Sequence, residues 1–320
     1  MEYVTLGPTG MDVSQLCFGT WRFGHESDGV VETSKEQAHE LLDVAYDRGV
    51  NFIDTSNNYG GGDSERYIGE WLEECDREEF VLASKVFYTA RSRFDRNLSP
   101  KTIHAEIEGT LERLGTEYLD VYYIHRFDDG TPISATLSAL DDLVRQGKVR
   151  HIGVSTNRIR NAAGRKLTES LWASDVGDYE SFAVTQPKLN AAHRDSAADF
   201  IDVCTKHGLA VCPYEPLEGG FLTGKYDRDA APSGSRGNLN DWAADRFDDR
   251  QWRVLEQVTQ VASELDATPA QVALRWLVQQ DGFTCVPITG ARTVDQLEEN
   301  LGTLDVSLST DQHDRITEAY

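Results

Sequence analysis

Short apolar runs alternate with amphipathic stretches along nearly the whole chain, and each repeat of this pattern occupies roughly 30 residues. The apolar runs are five to seven residues long and rich in β-branched and aromatic residues, which predicts strands. The stretches between them predict helices, among them 35–48 and 100–114. The eight predicted strands are LCFGT (16–20), NFIDT (51–55), FVLASKV (80–86), LDVYYIH (119–125), RHIGVS (150–155), FAVTQ (182–186), LAVCPYE (209–215) and TCVPIT (284–289).

Eight strands that alternate with helices predict an α/β protein with a (β/α)8 TIM barrel, in which residues 1–320 form a single domain. The chain exceeds the roughly 250 residues typical of such barrels. Residues 1–16 account for part of the surplus as an N-terminal β-hairpin that caps the barrel. Residues 218–250, after strand 7, account for more as a long loop over the active-site face. A doubly wound sheet is the alternative, but no G-x-G-x-x-G opens a helix after an early strand.

Polar side chains end most of the predicted strands. Because active sites of (β/α)8 barrels lie at the carboxyl ends of the strands, these residues are expected to meet at one mouth. Tyr59, in the loop after strand 2, can reach the same space. The strand-end residues are Asp54, Ser84-Lys85, His125-Arg126, Ser155, Gln186 and Tyr214-Glu215.

Four of these groups together suit acid–base chemistry. A neighbouring ammonium such as Lys85 is expected to lower the high pKa of a phenol, and Asp54 would keep that lysine protonated. His125 could bond a carbonyl oxygen or shuttle its proton. Each residue alone has a plainer interpretation: a surface lysine, a structural histidine or a turn-forming aspartate. Their convergence suits giving a proton to, or taking one from, a carbonyl or alcohol oxygen, which is half of a hydride-transfer reaction.

Charge and composition exclude several classes of function. A formal net charge of −23 argues against nucleic acid or an anionic membrane surface as partner. No apolar run approaches 18 residues and no signal segment follows Met1, so a cytoplasmic protein without membrane attachment is expected. Five scattered cysteines form no C-x-x-C pair and predict neither a disulfide framework nor a metal site. The sequence leaves the oligomeric state open.

Several segments resemble the aldo-keto reductase family, in particular its bacterial and potassium-channel-β-like branch. GVNFIDTSNNYG is similar to the family segment with the catalytic Asp and Tyr, VLASKV to the lysine strand and LDVYYIHRFD to the histidine strand. ALDDLVRQGKVRHIGVS, YEPLEGGFLTGKY (214–226) and PITGARTVDQLEEN (287–300) resemble its cofactor-binding segments. The resemblance implies a (β/α)8 barrel that binds a nicotinamide cofactor.

The resemblance also assigns roles to individual residues. It implies a catalytic tetrad of Asp54, Tyr59, Lys85 and His125, with Tyr59 as proton donor. Tyr214 would stack on the nicotinamide ring. The residues it implies for cofactor binding are Thr20, Trp21, Ser155, Thr156, Asn157, Gln186, Tyr214, Pro216, Leu217, Gly219, Gly220, Leu222, Lys225, Gly290, Arg292, Gln296, Glu299 and Asn300.

Three positions depart from the family pattern. Thr156 and Asn157 follow Ser155 where the family has Ser-Asn, so either residue could supply the carboxamide contact. Thr289 stands where the family has proline. Gln296 stands where many members have an arginine for the 2′-phosphate, which leaves Arg292 for that role and favours NADP(H), with NAD(H) as the alternative.

The expected function is therefore NAD(P)H-dependent reduction of an aldehyde, ketone or sugar-like carbonyl. Trp21, Tyr88 and Trp242 are expected to wall the substrate pocket, with Phe247 also near it. One alternative is a nucleotide-sensing regulatory subunit similar to potassium-channel β proteins. Another is a barrel lyase or isomerase in which Lys85 forms a Schiff base.

The chain has 54 acidic residues and only 31 basic ones, and the acidic residues are dispersed along it. This composition resembles that of proteins from salt-loving organisms, which have acidic surfaces. Dissolved salt screens repulsion between exposed like charges. We therefore expect the midpoint of thermal unfolding to rise as salt is added, measured by circular dichroism from dilute buffer upward. Full stability in dilute buffer would contradict a high-salt origin.

Overall fold

An eight-stranded sheet in which every neighbouring pair is parallel forms the centre of the molecule. The structure is a computed structural model and describes residues 1–27, 29–89, 96–156, 162–228 and 247–320. The spatial order of the strands is β7-β6-β5-β4-β3-β2-β1-β8, so chain neighbours are also sheet neighbours. The strands are β1 (Cys17–Gly19), β2 (Phe52–Asp54), β3 (Val81–Val86), β4 (Leu119–Ile124), β5 (Val149–Ser155), β6 (Phe182–Gln186), β7 (Ala210–Val211) and β8 (Ile288–Thr289).

The two outer strands, β7 and β8, meet and close the sheet into a barrel. Backbone hydrogen bonds of 2.9 Å join the Val211 N–H to the Thr284 carbonyl and the Val286 N–H to the Val211 carbonyl. The Ile288 N–H donates to the Pro213 carbonyl over the same distance. The predicted (β/α)8 barrel is confirmed, although strands 7 and 8 are shorter than the predicted 209–215 and 284–289.

Helices cover the outside of the barrel. The predicted helices 35–48 and 100–114 are confirmed to within one residue, and Ser34 and Ser99 cap them. Among the described residues, no helix is both long and apolar enough to cross a bilayer. The helices are α1 (Lys35–Asp47), α2 (Asp63–Leu72), α3 (Pro100–Leu114), α4 (Ile133–Arg145), α5 (Ala163–Gly177), α6 (Ala198–His207), α7 (Asp249–Glu264), α8 (Pro269–Val278), α9 (Val294–Leu301) and α10 (Thr310–Ala319).

The predicted N-terminal hairpin closes the end of the barrel at which the strands begin. Tyr3–Thr5 pairs antiparallel with Asp12–Ser14. Between these strands, Leu6 is fully buried in the apolar cluster that fills the barrel interior. Gly7 has a φ of +53°, and a Cβ there would lie 2.7 Å from the amide nitrogen of Ala210. A side chain would therefore push the hairpin off the barrel.

Side chains alternate between the barrel interior and the helix layer along each strand. On β3, Val81 and Ala83 join the interior cluster, whereas Leu82 and Val86 join the cluster beneath the helices. Lys85 has the same parity as Ala83 and therefore faces the interior, at the carboxyl end of its strand. This parity places a charged side chain in the barrel mouth.

The predicted loop 218–250 is described only at its two ends. Residues 229–246 lie outside the described residues, and with them Trp242. A short 3-10 helix, Glu218–Thr223, begins the segment. Near its end Phe247 is buried and stacks on Phe221 at 3.8 Å between ring centroids. Phe247 thus packs in the core, contrary to the expectation that it lies near the substrate pocket.

Leu6→Ala is expected to lower the free energy of unfolding by about 2–5 kcal/mol, because it leaves a void in the fully buried barrel floor. Chemical denaturation measures this change. Val30→Ala is the control, since Val30 is 66% exposed and its truncation should change the free energy by less than about 0.5 kcal/mol. Equal effects of the two substitutions would show that the hairpin does not seal the barrel.

Candidate active site

A cavity of about 770 Å³ opens at the carboxyl ends of the strands. Its volume lies within the range of roughly 300–1,000 Å³ found for small-molecule and cofactor sites. The residues at or beside the ends of six strands contribute to its wall. They are Gly19, Asp54, His125, Ser155, Gln186 and Thr289.

A buried hydrogen-bonded cluster lies at the base of this cavity. The Lys85 ammonium donates to Asp54 Oδ1 at 2.5 Å, to the Thr55 carbonyl at 2.7 Å and to the Tyr59 hydroxyl at 3.1 Å. The Gln186 amide donates to the other oxygen of Asp54 at 2.5 Å. Lys85 and Asp54 are almost fully buried. The structure thus brings Asp54, Tyr59 and Lys85 together as the sequence predicted.

The turn after β2 delivers Tyr59 to this cluster. Tyr59–Gly62 is a 3-10 turn, and α2 begins immediately after it. Gly60 has a φ of +55°, and a Cβ there would lie 2.5 Å from the Phe23 carbonyl oxygen. Glycine is therefore required for the chain to turn back so closely while the phenol remains in the cavity.

Burial controls the protonation of the phenol. Burial raises the pKa of Tyr59 above its ordinary value, and the Lys85 charge only partly opposes this shift. The expectation that Lys85 would lower this pKa is therefore wrong in its net direction. Tyr59 carries its proton at neutral pH, which is the state that a proton donor needs.

Lys85 remains charged in the same cluster. Burial works to lower the pKa of Lys85, but the Asp54 carboxylate and the Tyr59 phenol outweigh it and raise that pKa. Burial also raises the pKa of Asp54 against the opposing effect of Lys85. A protonated lysine is not a nucleophile, so the cluster does not favour Schiff-base chemistry.

His125 stands beside the phenol and completes the predicted tetrad. Its ring lies 5.9 Å from that of Tyr59 and 5.2 Å from that of Tyr88, both edge to face. Ser56 Oγ lies 3.2 Å from His125 Nδ1 and donates to Asn58 Oδ1 at 2.7 Å. These contacts fix the imidazole plane at the cavity wall.

The loop between Asp54 and Tyr59 contributes residues that sequence reasoning missed. Ser56 bonds the histidine, and Asn57 donates to the Tyr88 carbonyl at 2.6 Å and to Glu106 on α3 at 2.8 Å. Asn57 and Glu106 are both buried. The run of polar residues after a strand was the available signal, but their partners lie far away in the chain.

The residues predicted around the nicotinamide share the cavity with the cluster. Ser155, Gln186 and Tyr214 line the cavity, as do the predicted residues Thr20 and Trp21. Ser155 Oγ donates to the Gln186 carbonyl at 3.2 Å. The Gln186 side chain is already engaged by the tetrad aspartate in this structure.

Thr156 and Asn157, which follow Ser155, are the two residues predicted for a carboxamide contact. Thr156 is buried, and its backbone N–H donates to the Gln186 carbonyl at 3.0 Å. Asn157 lies outside the described residues. Both stay predictions for the carboxamide contact.

The predicted phosphate-binding segment follows β7 along the cavity. Lys225 lines the wall, and partial burial together with the Arg292 and Arg22 guanidinium groups lowers the pKa of this lysine. Leu222, also predicted for this segment, is fully buried in the hydrophobic core. The other predicted residues of the segment line the cavity: Pro216, Leu217, Gly219 and Gly220.

The last predicted segment also contributes to the cavity wall. The Arg292 backbone N–H donates to Gln296 Oε1 at 3.0 Å, so that side chain caps the start of α9. Arg96, which the sequence did not single out, also lines the wall, with its guanidinium carbon 5.8 Å from the Tyr88 ring centroid. All five predicted residues of this segment line the cavity: Gly290, Arg292, Gln296, Glu299 and Asn300.

Comparison with known proteins connects this geometry to a family. The family model described as "Aldo/keto reductase family" matches residues 15–320. The chain belongs to that family. This aldo/keto reductase is thus an oxidoreductase, and its family in general uses nicotinamide cofactors.

Individual relatives extend the match over nearly the whole aldo/keto reductase. Norsolorinic acid reductase B of Aspergillus parasiticus is 34% identical over 333 residues, covering 100% of this chain and 84% of that protein. A probable voltage-gated potassium channel subunit beta of Arabidopsis thaliana is 33% identical over 313 residues, covering 96% and 92%. The crystal structure of a thermostable aldo-keto reductase with the inhibitor epalrestat superimposes with a TM-score of 0.77 at 29% identity, covering 100% of both chains.

The cavity of this aldo/keto reductase fits a nicotinamide dinucleotide. Three cationic side chains, Arg22, Lys225 and Arg292, line this cavity, and the two guanidinium charges add to the effect of burial in lowering the pKa of Lys225. Mutual repulsion of this kind favours a bound anion such as a phosphate. The glycines Gly219 and Gly220 leave the nearby wall free of bulky side chains. The acid–base cluster lies in the same cavity.

Proposed function

We propose that this aldo/keto reductase uses NADPH to reduce an aldehyde, ketone or sugar-like carbonyl to the alcohol, with Tyr59 as the general acid. One observation carries the proposal. The buried Lys85 ammonium contacts both Asp54 and the Tyr59 hydroxyl at the base of a cofactor-sized cavity. This arrangement provides a phenol that is protonated at neutral pH and a fixed positive charge beside it.

Each residue of the cluster would have a separate role in proton transfer. A reduced nicotinamide, when bound, would supply the hydride that adds to the carbonyl carbon. Tyr59 would give its proton to the carbonyl oxygen, which completes the alcohol. Lys85 would stabilise the phenolate that remains, because it already lies 3.1 Å from that oxygen. Asp54 would hold Lys85 in its charged form, and His125 would orient the substrate oxygen.

The wall residues would hold the cofactor along the cavity. Ser155, Gln186 and Tyr214 lie where the nicotinamide end is expected, close to the tetrad. Lys225 and Arg292 would bind phosphate groups with charge-assisted hydrogen bonds. NADP(H) carries a further phosphate compared with NAD(H), and the clustered cations of this chain favour that larger negative charge.

Aromatic side chains would form the substrate pocket. Trp21 is 38% exposed and its ring lies 4.8 Å from that of His25, while Tyr88 contacts the catalytic histidine edge to face. Both line the cavity. Flat aromatic surfaces accept many carbonyl compounds, so they support a broad class rather than one substrate. Trp242 stays a prediction for this pocket.

A second candidate function is nucleotide sensing. It is favoured by the relative from Arabidopsis thaliana that is named a probable potassium channel subunit beta. Such a role requires nucleotide binding and a partner protein, but not efficient turnover. The assembled cluster of Asp54, Tyr59 and Lys85 supports the catalytic proposal over this alternative.

Tyr59→Phe is expected to reduce kcat for carbonyl reduction by about 10²- to 10⁴-fold, because it removes the proton donor and little else. The dissociation constant for NADPH should change by less than about threefold. Stopped-flow turnover and fluorescence titration measure the two quantities.

Tyr118→Phe is the matched control for the loss of a phenol. The Tyr118 hydroxyl donates to Glu78 at 2.7 Å outside the cavity, so its loss should leave kcat near that of the parent. A Tyr59→Phe enzyme that retains most of its kcat would overturn the role assigned to Tyr59. A parent protein that binds nucleotide but reduces none of a broad carbonyl panel would favour nucleotide sensing.

Arg292→Gln is expected to weaken NADPH binding by about tenfold and to leave NADH binding within about twofold, because the guanidinium would contact the additional phosphate. Calorimetric titration with each nucleotide measures the ratio. Arg145→Gln removes the same charge from a pair with Asp141 on the surface of α4 and should change neither constant. Equal weakening of both nucleotides would contradict a phosphate-specific role, and a parent preference for NADH would contradict the choice of NADP(H).

A further inference from the structure

The wall segment 215–220 has an unusual backbone. Glu215 and Glu218 have φ values of 52° and 49°, and Gly219 and Gly220 have values of 65° and 93°. Left-handed backbone suits glycine but strains a residue with a side chain, because its Cβ crowds the following carbonyl oxygen. Two glutamates in this conformation therefore require contacts that hold them.

Lys188 and Asn190 make those contacts from the loop after β6. The Lys188 ammonium bonds Glu218 Oε1 at 2.6 Å and lies 3.1 Å from Glu215 Oε2. The fully buried Asn190 amide donates to the Glu215 carbonyl at 2.9 Å and to Glu218 Oε2 at 2.7 Å. The Lys188 ammonium and the Asn190 amide thus hold both glutamates of the strained turn in place.

The charges of the two glutamates matter because of where this segment lies. Glu215, Leu217 and Gly219 all line the cavity that also contains the acid–base cluster and Lys225, and the buried Glu218 lies between these wall residues in the chain. A pyrophosphate bound along it would carry negative charge close to two carboxylates. Such like-charge proximity is costly unless a cation compensates it, particularly for Glu218, which is only 4% exposed.

We infer that Lys188, supported by Asn190, is a positioning residue for the phosphate-bearing part of the dinucleotide. It acts through Glu215 and Glu218: it neutralises their carboxylates and fixes the left-handed turn that they form. This inference rests on the proposed function, because it presumes that the cavity binds a nicotinamide dinucleotide. Lys188 would thus contribute to the affinity for the cofactor and not to the chemical step.

Lys188→Met is expected to raise the dissociation constant for NADPH by about tenfold, because it leaves two uncompensated carboxylates beside the phosphates. At saturating NADPH, kcat should stay within about twofold of the parent. The double variant Lys188→Met/Glu218→Gln should recover most of the lost affinity, since it removes the excess negative charge. Glu218→Gln alone should change the constant by less than about threefold. Fluorescence titration of NADPH measures all four proteins.

Lys148→Met is the control for the loss of one lysine. Lys148 is similarly half-buried and pairs with Glu108 away from the cavity, so its removal should leave NADPH affinity at the parent value. Lys188→Gln tests the same charge loss with a polar side chain, in case the methionine variant does not fold. Thermal melts identify folded proteins.

Three outcomes would overturn the inference. They are parent-like NADPH affinity in both Lys188 variants, a double variant that binds no better than Lys188→Met, and a loss confined to kcat. The second of these outcomes, which includes an additive loss in the double variant, would indicate a purely structural lysine. A parent protein without nucleotide affinity would instead refute the proposed function on which the inference rests.

Discussion

The buried ion pair between Lys85 and Asp54 is the interaction on which the rest of the site depends. Two charges inside a barrel are stable only when their hydrogen-bonding capacity is met almost completely. Here the lysine contacts a carboxylate, a backbone carbonyl and the Tyr59 phenol, while Gln186 binds the second carboxylate oxygen. The same contacts that satisfy the pair also place the phenol beside a permanent positive charge.

The barrel supplies the register that this pair needs. Asp54 aligns with Ala83 on the next strand, and Lys85 aligns with Tyr123 on the one after. A slip of one residue would turn Lys85 out of the barrel mouth and into the helix layer. Apolar packing below, which includes the hairpin residue Leu6, holds that register from the opposite end.

Much of this arrangement could be predicted because it follows from parity and strand order. Asp54 and Lys85 end neighbouring strands, so a parallel barrel brings them together regardless of details. The partner of the Gln186 amide could not be predicted, since it depends on side-chain orientation across 132 residues of chain. The left-handed backbone at Glu218 could not be predicted either, because the residues that indicate this conformation in a sequence are glycine and asparagine. The net pKa shift of Tyr59 required knowledge of its burial.

The barrel closes where its regular strands are shortest. β7 and β8 have two residues each, and three backbone hydrogen bonds, two at Val211 and one at Pro213, complete the join. The segment 214–226 begins three residues after β7, β8 lies within the segment 287–300, and both segments contribute to the cavity wall. A dinucleotide that contacted both segments would bridge the join between β7 and β8 and so hold the barrel closed. Occupancy of the cavity and the stability of this join would then be thermodynamically linked.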